Sequence, residues 1–306
     1  MNKLKIGIIG KVPPPFGGVT VHVSRLYDYV NSSNLNYKAF LISSFKDLKK
    51  FLKSDIIHLH QNNPYKRFCL IILSKLFLKK CICTLHRDHD RDKGLKKILT
   101  IVSLFFADKW IVLNNRSFEF FKKFNNNVIL STSFIPPSME IVNSEQEIIN
   151  KIKKIKKSYE FVICTCAHHY RVHEGKDIYG IFEILELAKK FNNYLFIFSD
   201  PSSEYSNLLN STPPPNFFII NFQHHFVPVL RQSNVYLRHT NTDGDSVTVR
   251  EALYFNKICL STNVVDRPEG VFTYNYENLC ETLKRLPQIK PNRLEDKLCL
   301  KEIYEN

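Results

Sequence analysis

KIGIIGKVPPPFGGVTVHVSRLYDYV, from Lys5 to Val30, carries the pattern on which the fold turns. Lys5–Gly10 is a short apolar run closed by glycine, so it reads as a buried first strand. Gly18–Val30 repeats apolar residues at helical spacing. Between them stand three prolines and the pair Gly17–Gly18, a stiff loop that opens the helix. Glycines there let a ligand approach backbone N–H groups carrying the helix's partial positive charge. The loop matches neither GxGxxG nor a P-loop, and a simple tight turn also accounts for it.

The same strand–helix alternation recurs downstream. Strands are predicted at YKAFLIS (Tyr37–Ser43), DIIHLH (Asp55–His60), CICTLH (Cys81–His86), KWIVLN (Lys109–Asn114) and NVILST (Asn127–Thr132). Helices fall between them, at about Pro64–Leu78, Leu95–Phe106 and Arg116–Phe124. Pro136 and Pro137 interrupt regular structure, and the polar SEQEIINKIKKIKKS (Ser144–Ser158) follows as a linker or connecting helix. The alternation then restarts with YEFVICTCA (Tyr159–Ala167) and runs to KICLST (Lys257–Thr262). The expected architecture is α/β. Two doubly wound Rossmann-like domains, 1–135 and 159–306, face each other across a cleft, with 136–158 as linker.

Composition narrows the function classes. Residues 1–150 hold 23 Lys and Arg against 11 Asp and Glu, a net of +12, while 151–306 hold 20 against 18. The basic half suits an anionic partner: a phosphorylated substrate, an anionic membrane surface or a nucleic acid. Nucleic acid is disfavoured, because no basic face with interleaved stacking aromatics can be identified. FCLIILSKLFL (Phe68–Leu78) is too short to span a bilayer and reads as a buried helix, with interfacial contact as the other reading. The start is too short for a signal-peptide core. The eight cysteines lack zinc-ribbon spacing, which implies reduced, packed thiols and a cytoplasmic protein.

Doubly wound sheets bind ligands at the carboxyl ends of their strands, so the loops after Gly10, Thr84 and Arg238 matter most. In TLHRDHDRD, His86 ends a predicted strand and could orient a sugar or phosphate, or move a proton. His86, Asp88, His89 and Asp90 could also make a metal site, as could His58 and His60. The latter lacks the aspartate of an HxHxDH motif, since Asn62 stands at that position, and no metal is expected. In TNTDGDSVTVREALYFN (Thr240–Asn256), Asp243 and Glu251 are eight residues apart, too far to share one helix cap. Gly244 and the N–H groups of Asp245, Ser246 and Val247 could cradle a phosphate. A nucleotide sugar, polyhydroxyl at one end and ribose at the other with a diphosphate between, fits this spacing.

DGDSVTVREAL with LSTNVVDRPEGV (Leu260–Val271), supported by PFGGV, DIIHLH, TLH and NNRS, resembles glycosyltransferase family 4, retaining enzymes of the GT-B fold. Within it the likeness is to bacterial capsule and O-antigen transferases. The resemblance covers roughly residues 4–275. It implies that Asp243 and Glu251 stand in the family's E-x7-E motif, with Asp replacing the first Glu. Asp243 would then touch the transferred sugar, Glu251 the donor ribose, and Gly244–Val247 the diphosphate. Arg171 and Lys176 would neutralise the leaving diphosphate. Gly17 and Gly18 would approach the donor phosphates or acceptor, and His86 would lie near the anomeric carbon, followed here by Arg87 where many relatives have glycine. A lipid-linked glycan acceptor at the inner membrane face, peripheral attachment and no cofactor are implied as well. Two other readings fit the fold: a non-catalytic GT-B-like partner protein and a nucleotide-sugar epimerase.

Overall fold

The computed structural model describes residues 3–14, 17–33, 35–87, 89–209, 212–243, 246–293 and 298–305. Two compact units divide the chain: Met1–Ile135 with Asp296–Asn306, and Pro136–Glu295.

The first unit is built on β1 (Leu4–Ile9), α1 (Gly18–Ser32), β2 (Tyr37–Ile42), α2 (Leu48–Lys53), β3 (Ile56–Leu59), α3 (Pro64–Leu76), β4 (Lys80–Leu85), α4 (Leu95–Phe106), β5 (Lys109–Val112), α5 (Asn115–Lys122) and β6 (Val128–Leu130). Its strands are all parallel, in the order β2-β1-β3-β4-β5-β6. Ile6, Ile8, Ile57 and Leu59 are fully buried, as strands covered on both faces require. Cys81 and Cys83 point to the same buried face, and all the described cysteines are free.

Helix α3 departs from the expected buried helix. Its inward stripe includes Arg67, Ile71 and Ser74, but Leu76 is 75% and Leu78 93% exposed at its end. The run is long enough to be apolar on every side, while only one stripe reaches the sheet. No helix among the described residues is long and apolar enough to cross a membrane.

The second unit begins earlier than expected. α6 (Met139–Val142) and α7 (Gln146–Ile155) occupy the stretch read as a linker, and Ile148 and Ile152 of α7 are buried in the second unit's core. Their i, i+4 spacing gives the helix one apolar face, and that face has a sheet to cover. The unit continues through β7 (Phe161–Cys166), a hairpin of β8 (Val172–His173) and β9 (Lys176–Asp177), α8 (Ile181–Ala188), β10 (Tyr194–Ser199), α9 (Glu204–Leu208), β11 (Phe217–Ile220), α10 (Phe226–Gln232), β12 (Val235–Arg238), α11 (Val247–Tyr254), β13 (Ile258–Thr262), β14 (Phe272–Tyr274) and α12 (Leu279–Lys284). The sheet order is β11-β10-β7-β12-β13-β14, again all parallel. In sequence terms that is 3-2-1-4-5-6, the dinucleotide-binding order, with its switch point between β7 and β12.

The last helix, α13 (Leu300–Tyr304), belongs to the first unit, not to the second domain that the sequence predicts. Leu300, Ile303 and Tyr304 are buried among Ile6, Ile82 and Ile111. Lys109, itself buried, donates to the carbonyls of Glu302 at 2.9 Å and Ile303 at 3.1 Å, and the Tyr304 hydroxyl meets His58 Nδ1 at 2.8 Å.

Candidate functional site

The second unit brings its candidate residues to the carboxyl ends of β7, β12 and β13. Arg238 ends β12 and binds Asp243 as a fork, Nε to Oδ2 at 3.0 Å and an Nη to Oδ1 at 2.7 Å. Arg267, in the loop after β13, adds a third contact to Oδ2 at 2.8 Å. The side chains of Arg267 and Asp243 are 3% and 7% exposed. Burial acts to raise the Asp243 pKa, yet the two guanidiniums outweigh it and hold the carboxyl at about 2. Asp243 is therefore ionised and engaged by two cations, leaving a net positive cluster. One Arg267 guanidinium nitrogen is buried there without a hydrogen-bond partner among the described residues.

Gly244 and Asp245 lie outside the described residues. Ser246 and Val247 open α11 beside the clamp. The Ser246 hydroxyl meets Thr248 Oγ1 at 3.0 Å, Thr248 meets the Tyr236 hydroxyl at 2.5 Å, and Cys166 lies 3.8 Å from Tyr236. Glu251 lies one turn further along α11 and is 2% exposed, near enough to Cys166 for its charge to raise that thiol's pKa after burial itself. Arg171 and Lys176 are exposed around the β8–β9 hairpin. The hairpin base is tied to the loop after β12, since Asn241 N–H donates to the Ile178 carbonyl at 3.2 Å.

Gly180 keeps this edge close-packed. Its φ is +55°, and a Cβ there would stand 2.3 Å from the His239 ring. His239, absent from the sequence-predicted set, is buried, 2.9 Å from Glu183 and stacked on Tyr276 at 4.1 Å. Its neighbours come from α8 and the segment after β14, so nothing local to VYLRHT marks it.

In the first unit, Gly17 caps α1 through Thr20, whose Oγ1 accepts from Gly17 N–H at 2.9 Å, and Gly18 begins the helix. His86 does not stand alone at the end of β4. Its Nε2 lies 2.9 Å from Nδ1 of His60, which follows β3. His22 of α1, missed by sequence reading, completes a triangle with ring centroids 4.9 Å from His86 and 5.1 Å from His60. Burial, then neighbouring imidazoles, pulls His60 and His86 well below the usual histidine range. Arg87 is engaged by Asp92. His89 is held apart from this group, on Ser117 at 3.1 Å and Asp90 at 3.0 Å. Asp88 lies outside the described residues.

No protein-family profile matches the chain, and no curated protein matches it. Solved structures do match in fold. Anabaena HepE in complex with UDP and glucose superposes with a TM-score of 0.66 at 10% identity, covering 94% of this chain and 91% of that one. Sucrose-phosphate synthase from Thermosynechococcus elongatus gives 0.64 at 11% identity, over 94% and 90%. The lipopolysaccharide outer core galactosyltransferase WaaB gives 0.57 at 14%, over 94% and 91%. The chain has the fold of the GT-B glycosyltransferases.

Proposed function

We propose that the chain is a retaining glycosyltransferase of the family 4 type. It moves a hexosyl group from a nucleoside-diphosphate sugar to a lipid-linked glycan acceptor in capsule or O-antigen synthesis. The observation that carries this reading is the cationic Arg238–Asp243–Arg267 cluster beside the start of α11, at the switch point of a 3-2-1-4-5-6 sheet. HepE in complex with UDP and glucose supports a uridine nucleotide as the first donor to try.

Departure of a nucleoside diphosphate builds negative charge, and each preset donor aimed at it is worth about 3 kcal/mol. In this reading the N–H groups of Ser246 and Val247, with those of Gly244 and Asp245, receive the diphosphate. Glu251 takes the ribose hydroxyls, and Arg171 and Lys176 close over the phosphates from the hairpin. Asp243, its oxygens engaged by arginine, sets the two guanidiniums rather than reaching the sugar. Gly17, Gly18 and His86 serve the acceptor side. This donor site asks for no metal, because fixed N–H dipoles and guanidiniums do the neutralising.

The basic first half, the exposed Leu76 and Leu78 at and just beyond the end of α3, and the exposed Leu95, Ile98 and Phe105 of α4 support peripheral attachment to an anionic membrane.

Thermal stabilisation by a panel of nucleoside diphosphates and their sugars tests the function. A ligand at 100 times its Kd adds about 2.7 kcal/mol to stability. The expected outcome is a shift with one nucleotide that Glu251→Gln removes. If no nucleotide shifts the wild type, the non-catalytic partner reading replaces this one.

A further inference from the structure

We propose that His22, His60 and His86 form a three-imidazole site for a divalent transition-metal ion of the zinc class at the switch point of the first sheet. The inference shares His86 with the acceptor side of the transferase reading but does not rest on that reading. The three side chains come from α1, which follows β1, and from the ends of β3 and β4, and the strand order reverses between β1 and β3.

Geometry carries the argument. One nitrogen of each ring lies within 4.8 Å of one nitrogen of the other two. The ring centroids are 4.9, 5.1 and 5.2 Å apart, a nearly equilateral triangle. Imidazoles bound tetrahedrally to one ion at about 2.0–2.1 Å have nitrogens about 3.3 Å apart and ring centres about 5 Å apart. The ring spacing is already that of a liganded set. The His60–His86 nitrogens, at 2.9 Å, need only a few tenths of an ångström. The longest nitrogen separation closes by side-chain rotation.

Hydrogen bonding points the same way. His22 Nδ1 lies 2.7 Å from the Ser133 carbonyl, so it is the protonated nitrogen and Nε2 carries the lone pair. A backbone carbonyl fixing one nitrogen in this way is the usual outer contact of a metal-bound histidine. His60 is 5% exposed, and its Nδ1 is the nitrogen that faces His86. His58, beside them, is what a purely structural histidine looks like here: Tyr304 and Thr84 satisfy both its nitrogens, each at 2.8 Å.

Three imidazoles without a carboxylate disfavour calcium and magnesium and suit zinc, cobalt, nickel or copper. Three protein ligands leave a fourth position for water or an oxyanion. The sequence reading expected no metal because it paired His58 with His60 and lacked a third ligand at Asn62. The fold brings His22 and His86 to His60, while both nitrogens of His58 are taken by Tyr304 and Thr84.

The test is a cobalt(II) titration of the full-length chain after dialysis against chelator, followed by zinc competition. The expected result is one cobalt per chain with the visible absorption of a four-coordinate site, displaced by one zinc. His60→Gln should weaken cobalt binding at least about tenfold, while His173→Ala, at an exposed histidine outside the triangle, should leave it unchanged. No cobalt spectrum in the wild type overturns the proposal, whatever the variants do. So does a spectrum that survives His60→Gln undiminished. A nucleotide-dependent thermal shift, recorded on the chelated protein, reports on the transferase reading separately.

Discussion

The two sheets share a parallel, doubly wound design, yet their switch points are furnished in opposite ways. The second unit gathers formal charge: two guanidiniums around one ionised carboxylate, each held by partners that desolvation alone would forbid. The first gathers three imidazole rings with no carboxylate among them. The topology decides where a ligand can sit, and the side chains at the strand ends decide its sign. A charge-clamped mouth is suited to a polyanion, and a cluster of imidazoles to a transition-metal cation.

The comparison breaks most visibly at Asp243. Asp243→Ala leaves Arg238 and Arg267 buried without their counterion and should cost about 3–5 kcal/mol in denaturant unfolding. The wild type should show the same dependence in acid. The folded pKa of Asp243, about 2, lies below the ordinary aspartate value of about 3.9. The stabilisation is therefore fully present above the unfolded value and is lost as pH falls through the folded one. That amounts to about 2 kcal/mol at 1.36 kcal/mol per unit, read as falling stability between about pH 4 and 2. A flat response there, with Asp243→Ala near wild type, would mean the clamp is ornamental.

A smaller effect is expected from Ile303→Ala, about 2–4 kcal/mol from the cavity left in the first unit's core. Hydrogen exchange should show faster amides in β1 and β4 and leave β7 and β12 unchanged. Exchange that quickens equally in both units would remove α13 from the first. The weakest effect concerns surfaces. Exposed apolar residues flank lysines on α4 of the first unit, so flotation with anionic vesicles should be lowered by salt and by Lys96→Glu with Lys97→Glu. Binding that ignores both changes counts against attachment through this face.

The strand–helix alternation was legible because it is local: a strand of four to six residues and the helix after it declare themselves by periodicity alone. Leu95–Phe106 was read to the residue. What escaped was decided by partners far away in sequence. The stretch Ser144–Ser158 looks like a polar connector until Ile148 and Ile152 find a sheet to cover. Asp243 could be read as a turn carboxylate, but its use depends on Arg267, 24 positions on. His22 sits mid-helix with no local mark, and its companions are His60 and His86. At the end of the chain, Leu300, Ile303 and Tyr304 give barely one helical turn of pattern, too little to reveal that they finish the first core.

That last helix has a consequence for biosynthesis. The ribosome releases the whole sheet of the first unit long before it makes Tyr304. At about 5–20 residues per second, the interval is on the order of 10–30 s. Throughout it, Lys109 lacks two of its carbonyl acceptors and His58 lacks a hydroxyl partner. The half of the protein made first is thus the half completed last, and a nascent chain stalled before residue 300 offers its unfinished core to chaperones and proteases.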